Sequence, residues 1–149
     1  MDTGLEHLHS TLRWVALILL AVTWLRAFSQ RRSGAFSPTQ AKLGLFTMVT
    51  LHVQLILGLS LYFLRGWHEA IAQPGAMADT NVRFFGMEHL TLMLLAITLG
   101  TLGHSLSKRA QDAEVKYRKQ TLYFGLALLV ILLGIPWPFR PGFEGYGWF

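Results

Sequence analysis

The chain has 149 residues, enough for one domain, of which 52% are apolar and only 14% charged. Soluble domains carry about a quarter charged residues, so a deficit this large excludes water as the main solvent. The formal charge of +5 does not point to nucleic acid, because basic residues of membrane proteins gather in loops on one side, and the absence of cysteine excludes disulfides, thiolate metal sites, iron–sulfur clusters and thioether-linked haem in this chain.

The first apolar run is Leu12 to Phe28. It follows Asp2 and Glu6 rather than a basic stretch, and no small-residue cleavage site succeeds it, so a permanent helix is expected rather than a signal peptide. Ser37-Pro38-Thr39 reads as a helix start, with proline in the first turn, ahead of the second run, Leu43 to Leu64. The stretch from Gly66 to Asn81, with Pro74 and Gly75, is the longest connection. The third run is Leu90 to Leu106, and the fourth is Thr121 to about Trp137, stopped by Pro136 and Pro138. A spanning helix needs about 20 mostly apolar residues, so flanking turns must extend the shorter runs. The pattern predicts helices over about residues 9–29, 40–65, 86–107 and 119–137. The fold class is therefore all-α, an integral membrane four-helix bundle in one domain. The tail from Pro138 to Phe149 is expected to lie at the interface, and Trp14, Trp67, Trp137 and Trp148 read as headgroup-level anchors.

Charge sets the direction. Arg26, Arg31, Arg32 and Lys42 follow the first run, and Lys108, Arg109, Lys116, Arg118 and Lys119 follow the third. Nine of the thirteen basic residues thus fall on one side of a four-span protein, against Asp112 and Glu114, while the other side has Arg13, Arg65, Arg83 and Arg140 against six acids. The positive-inside rule then places both termini outside, in the periplasm of a bacterial inner membrane.

The chemical content lies in six histidines: His7, His9, His52, His68, His89 and His104. His68 falls in the long connection and reads as solvated. Ionisable groups inside a membrane are costly and point by default to function: protonation, metal binding or haem ligation. His89 and His104 share a broad face of the third helix, about 60° and roughly 22 Å apart. Between them on that face lie Met93, Ala96, Gly100 and Gly103, and the small residues leave a trough suited to a cofactor or to close helix packing. His9 and His89 match in depth at the outer boundary and are a candidate pair of ligands for one haem b. His7 is a rival for His9, but points about 200° round the helix. His104 would pair with His52 at an inner site, with a depth mismatch on the order of 10 Å for upright helices. The bland alternative for His52 is a hydrogen-bonded interior residue. Arg13, one turn from His9, is a candidate partner for a haem propionate, for Glu88 or for a quinone carbonyl, or else it snorkels to the headgroups. Gln54, Thr47 and Thr50 are expected to bond to neighbouring helices.

The segments His9-Ser10-Thr11-Leu12-Arg13-Trp14, His52-Val53-Gln54 with Gly58-Leu59-Ser60-Leu61-Tyr62-Phe63, Arg83-Phe84-Phe85 with Glu88-His89, and Ile135-Pro136-Trp137-Pro138 together resemble a family of small bacterial four-helix membrane proteins labelled cytochrome-b-like. The resemblance spans nearly the whole chain. More distantly, the histidine placement is similar to that of the four-helix dihaem cytochromes b, which exchange electrons with quinone. It implies His89 and His104 as the pair on one helix, with His9 and His52 as partners. Here the paired histidines stand on the third helix rather than the last, and one residue farther apart.

Three functions compete. The first is a b-type cytochrome with one or two bis-His haems, linked to quinone or to a larger respiratory or photosynthetic complex; if it is an enzyme, it is a haem-dependent membrane oxidoreductase. The second is a scaffold or accessory subunit, alone or as a homo-oligomer, whose histidines and glycines serve packing. The third is a small transporter or metal-binding protein that uses the outer histidines.

Overall fold

The computed structural model describes residues 2–32 and 34–146, Asp2 by its backbone alone. Trp148, an expected anchor, lies outside the described residues. Among those residues every regular element is helical.

Helix α1, Asp2–Ser29, starts well before residue 9 because the interfacial residues ahead of the apolar run continue its turns. Helix α2 spans Pro38–Leu64. The Ser37 hydroxyl accepts the Gln40 amide at 3.2 Å, and Pro38 stands in the first turn, where its missing N–H costs nothing. The helix is closed by Gly66, whose φ of 68° is a left-handed conformation that only glycine adopts freely. The long connection then folds into α3, Trp67–Ala70, a 3₁₀ turn at Ala76–Ala78 and α4, Thr80–Arg83. Asp79 caps α4 by accepting the Asn81 and Val82 amides, both at 2.9 Å. A π-helical turn, Phe84–Glu88, runs into α5, His89–Arg109, so Thr80–Arg109 forms one rod. Helix α6, Ala113–Gly134, starts before residue 119 and ends before residue 137. It ends early because the residue before a proline is driven out of the helical region, and Ile135 has φ −81° and ψ 134°.

The four long helices pack in the cyclic order α1–α2–α5–α6. The first and last described residues lie at one end of the bundle, here the terminal end, and the basic connections lie at the other, the basic end. The core holds Leu20, Ala96, Phe124 and Ala127, all fully buried, with Leu17, Leu51, Ile97 and Ile131 around them. Outward the bundle exposes Ile18, Leu25, Phe46, Ile56, Leu129 and Leu133. An apolar exterior of this extent suits lipid rather than water. Three stretches, Thr3–Ser29, Pro38–Leu64 and Thr80–Arg109, are long and apolar enough to cross a membrane. Helix α6 carries Glu114, Lys116, Arg118 and Lys119 in its first two turns, which shortens its apolar part.

Polar residues tie the basic end together. The Thr23 and Thr47 hydroxyls are 2.8 Å apart, and the Gln40 amide donates to Gln120 Oε1 at 2.7 Å and to the Thr23 carbonyl at 3.0 Å. All four side chains are buried, where unpaired polar groups would cost several kcal/mol each, on the order of 2–7. Glycine sets the helix spacing. A Cβ at Gly100 would stand 2.6 Å from Leu51 Cδ1, and one at Gly103 would stand 2.9 Å from Tyr123 Cβ and 3.0 Å from Phe124. Phe124 is fully enclosed and cannot give way. Gly103→Ala is therefore expected to destabilise the bundle by about 1–3 kcal/mol, read as a lower thermal midpoint in detergent.

Candidate functional site

At the terminal end α1, α2, α5 and α6 splay around a cavity of about 470 Å³. Its floor is apolar: Leu51, Leu55, Met93, Ala96, Ile97 and Ile131. Its walls carry His9, Arg13 and His89, and its mouth carries Thr3, Glu6, His7, Arg65, Tyr62 and Tyr146. A pocket of a few hundred Å³ with an apolar floor and few polar groups is the form that small-molecule and cofactor sites take.

His9 and His89 face each other across this space. Their ring centres are 6.5 Å apart, with planes at 77°. An imidazole nitrogen sits about 2 Å from a transition metal and the ring centre about 1 Å beyond, so two imidazoles sharing one metal have centres about 6 Å apart. The observed 6.5 Å lies near that value and also within the ordinary range of edge-to-face ring pairs.

The local sequence explains each orientation. In a helix the Gly134 carbonyl would accept the amide of residue 138, but Pro138 has none. His89 Nδ1 donates to that carbonyl at 2.7 Å. The bond fixes the tautomer, with the proton on Nδ1, and leaves Nε2 as the ring's acceptor nitrogen. Gly134 itself permits the approach, since a Cβ there would run into Met93. The other carbonyls freed at this helix end are also taken by side chains. The Trp137 indole donates to Leu132 at 2.8 Å, and Arg140 donates to Leu133 at 3.1 Å and to Ile135 at 3.2 Å.

His9 is seated by α2. Gly58 leaves room for its ring, with His9 Cε1 3.3 Å from where a Cβ would stand, and the Gln54 amide donates to the His9 carbonyl at 3.1 Å. His9 Nδ1 is buried and has no hydrogen-bond partner, a costly state for an imidazole nitrogen unless something supplies a bond. The π turn before His89 serves the same wall. It offers the Gly86 carbonyl to the Tyr62 hydroxyl at 3.1 Å, and single π turns recur at functional sites.

The other predicted residues fall as follows. Arg13 is half-buried on the cavity wall, its guanidinium 5.4 Å from the centre of the Trp14 ring. Glu88 pairs with Arg83, Nε to Oε1 at 2.8 Å. His7 is exposed at the mouth, and His68 is exposed beside Tyr62 and Phe63. Gln54 and Thr47 bond to α1 as expected. His104 and His52 are not brought together. His104 Nδ1 lies 3.5 Å from where a Gly44 Cβ would stand, which puts His104 level with Gly44. His52 is eight residues on, about 12 Å along α2. It is exposed, and its Nδ1 lies 2.8 Å from the Met48 carbonyl of its own helix. Gly100 and Gly103 line no part of the cavity, because Leu51 and Phe124 fill the space beside them. Gly58, Tyr62 and Gly134 went unnoticed as site residues in the sequence. The signal for Gly134 was there, in a proline four residues on from a helical carbonyl.

Among the described residues no three of His, Cys, Asp or Glu gather into a group able to hold a metal ion. Comparison with family models, curated proteins and solved structures found no match to this chain.

The segment after α6 folds back over the mouth. Phe143 is buried against Phe84, ring centres 4.6 Å apart, and the Tyr146 hydroxyl donates to Asn81 Oδ1 at 3.3 Å. Burial, and then the Glu6 carboxylate, push the Tyr146 phenol above the ordinary tyrosine range, with Arg65 partly opposing. The folded state thus favours the neutral phenol. Its contribution is complete below the pKa of the unfolded chain and is lost as pH rises through the folded value. An alkaline titration of phenolate absorbance should show a component above the ordinary range that Tyr146→Phe removes.

Proposed function

We propose that this chain is a membrane-bound b-type cytochrome that holds one haem between His9 and His89 and carries electrons at its terminal end. The observation that carries the reading is the facing pair of imidazoles, 6.5 Å apart across a cavity with an apolar floor. Two histidines alone leave a bare ion short of the three or four protein ligands it takes. They match the need of a haem iron, whose macrocycle supplies the other four donors. The unpaired Nδ1 of His9 and the Gly134-oriented ring of His89 fit that group on the donor side. The apolar floor fits its flat body, and Arg13 and Arg65 would hold its carboxylates.

Bound there, haem b supplies a one-electron iron couple. The protein's own residues do the rest. His89 keeps its tautomer through the Gly134 carbonyl, which raises its basicity as a ligand. The floor keeps water from the buried face, and the arginines offset negative charge near the mouth. One site near one surface suits exchange with a quinone or a redox partner on that side. The separation of His52 from His104 favours one haem over two.

The reading includes four spans, with α6 crossing by its apolar part while Arg118 and Lys119 snorkel, and both termini on the periplasmic side of a bacterial inner membrane. Protease or tag-labelling of intact spheroplasts should reach the N-terminus, and labelling only after lysis would reverse the orientation.

The cofactor test is a reduced-minus-oxidised visible spectrum with pyridine haemochrome quantitation. A low-spin b-type signal near one haem per chain is expected. His9→Ala and His89→Ala should each abolish it, while His52→Ala and His104→Ala retain it. No haem in protein from haem-replete cells would overturn the cytochrome and leave a packing or accessory-subunit role.

A further inference from the structure

A second site lies at the basic end and does not depend on the haem reading. Arg31, Arg32, Arg118 and Lys119 line one open cleft of about 720 Å³ where the end of α1 meets the start of α6. Glu114 is its single carboxylate. Among the described residues the ion pairs are Arg65 with Glu6, His68 with Glu69 and Arg83 with Glu88, and none takes a cation from this cleft.

The cleft continues into an apolar strip. The Arg31 guanidinium lies over the Phe28 ring, 4.1 Å from its centre, and Phe28 stacks on Trp24 at 5.9 Å. Trp24 packs on Gly125 of α6 and donates its indole N–H to the Thr121 carbonyl at 3.1 Å. Trp24 and Phe28 stand one turn apart at the end of α1, and Trp24 packs on α6. Beside them α6 exposes Leu122, Leu126 and Leu129 along one face. Cations thus stand above an exposed apolar surface that carries Phe28, Leu122, Leu126 and Leu129.

We infer that this cleft binds one anionic phospholipid, its phosphates on the arginines and lysine and its acyl chains along the exposed apolar side chains below. Charge complementarity selects the occupant: four cations against one carboxylate require an anion, and the strip beneath requires that the anion carry hydrocarbon. Basic pockets between membrane helices bind cardiolipin-type headgroups in this way, and each Lys or Arg near the surface is worth roughly a fivefold gain in affinity for anionic lipid.

The experiment is native mass spectrometry of the full chain in detergent, titrated with tetraoleoyl cardiolipin, dioleoyl phosphatidylethanolamine or inorganic phosphate. Cardiolipin should bind at one per chain well above phosphatidylethanolamine. Arg31→Gln with Arg118→Gln should weaken it by about 20-fold, while Lys42→Gln with Lys108→Gln, at the same end but outside the cleft, should leave it unchanged. If the first double variant does not fold, Lys119→Gln alone should cost about fivefold. Equal binding of both lipids, or equal loss in the two double variants, would overturn the site. Displacement of cardiolipin by inorganic phosphate at matched concentration would also overturn it, since the cleft would then recognise phosphate without its lipid.

Discussion

Pro138 has no N–H, so the Gly134 carbonyl at the end of α6 is left without a helical partner, and His89 of α5 supplies the bond at 2.7 Å. Much of the terminal end depends on this. The bond holds α5 against α6 and selects one imidazole tautomer. It also turns the ring toward His9. In a bilayer a freed carbonyl cannot turn to water, and each one left unmet costs several kcal/mol, on the order of 2–7. The two prolines free a short row of carbonyls, and an indole, a guanidinium and an imidazole meet them. A helix end that would be a liability in lipid becomes the mount for an oriented imidazole.

The two ends of the bundle solve different problems. At the basic end, buried glutamine and threonine pairs draw all but α5 together through hydrogen bonds, and Gly103 lets α5 sit on α6 at near-contact distance. Between the ends a dry layer of Leu20, Phe124 and Ala127 is fully enclosed. At the terminal end the helices part, and the space between them is lined by ionisable groups rather than closed by them. A tight lower half over-determines the positions of the helices. The upper half can then hold two rings at a separation that packing alone would collapse.

Much of this was legible in the sequence. Apolar run lengths predicted the long helices, and the prolines marked the end of α6. Depth matching selected His9 and His89 from six histidines, because helix rise alone puts them at one level. The structure leaves His52 and His104 about 12 Å apart in depth, close to the mismatch on the order of 10 Å that the rise already contained. The outward turn of His52 was not legible, because α2 is apolar almost all round and its periodicity does not say which side meets lipid. Gly100 and Gly103 read equally as a trough or as a contact face. Only the partner side chains Leu51 and Phe124 decide between the two. The π turn left no periodic signature, and nor did the folding-back of the C-terminal segment.

The π turn at Phe84–Glu88 makes a helix one residue longer than regular winding would allow over the same rise. Each residue turns an α-helix by about 100°. Deleting one residue of this segment would let the rod wind regularly while Asp79 keeps nearly its facing relative to His89, whereas deleting one from a regular stretch would swing everything ahead of it by about a quarter turn. The surplus residue is thus taken up within the turn itself, and the widened turn presents the Gly86 carbonyl to the Tyr62 hydroxyl.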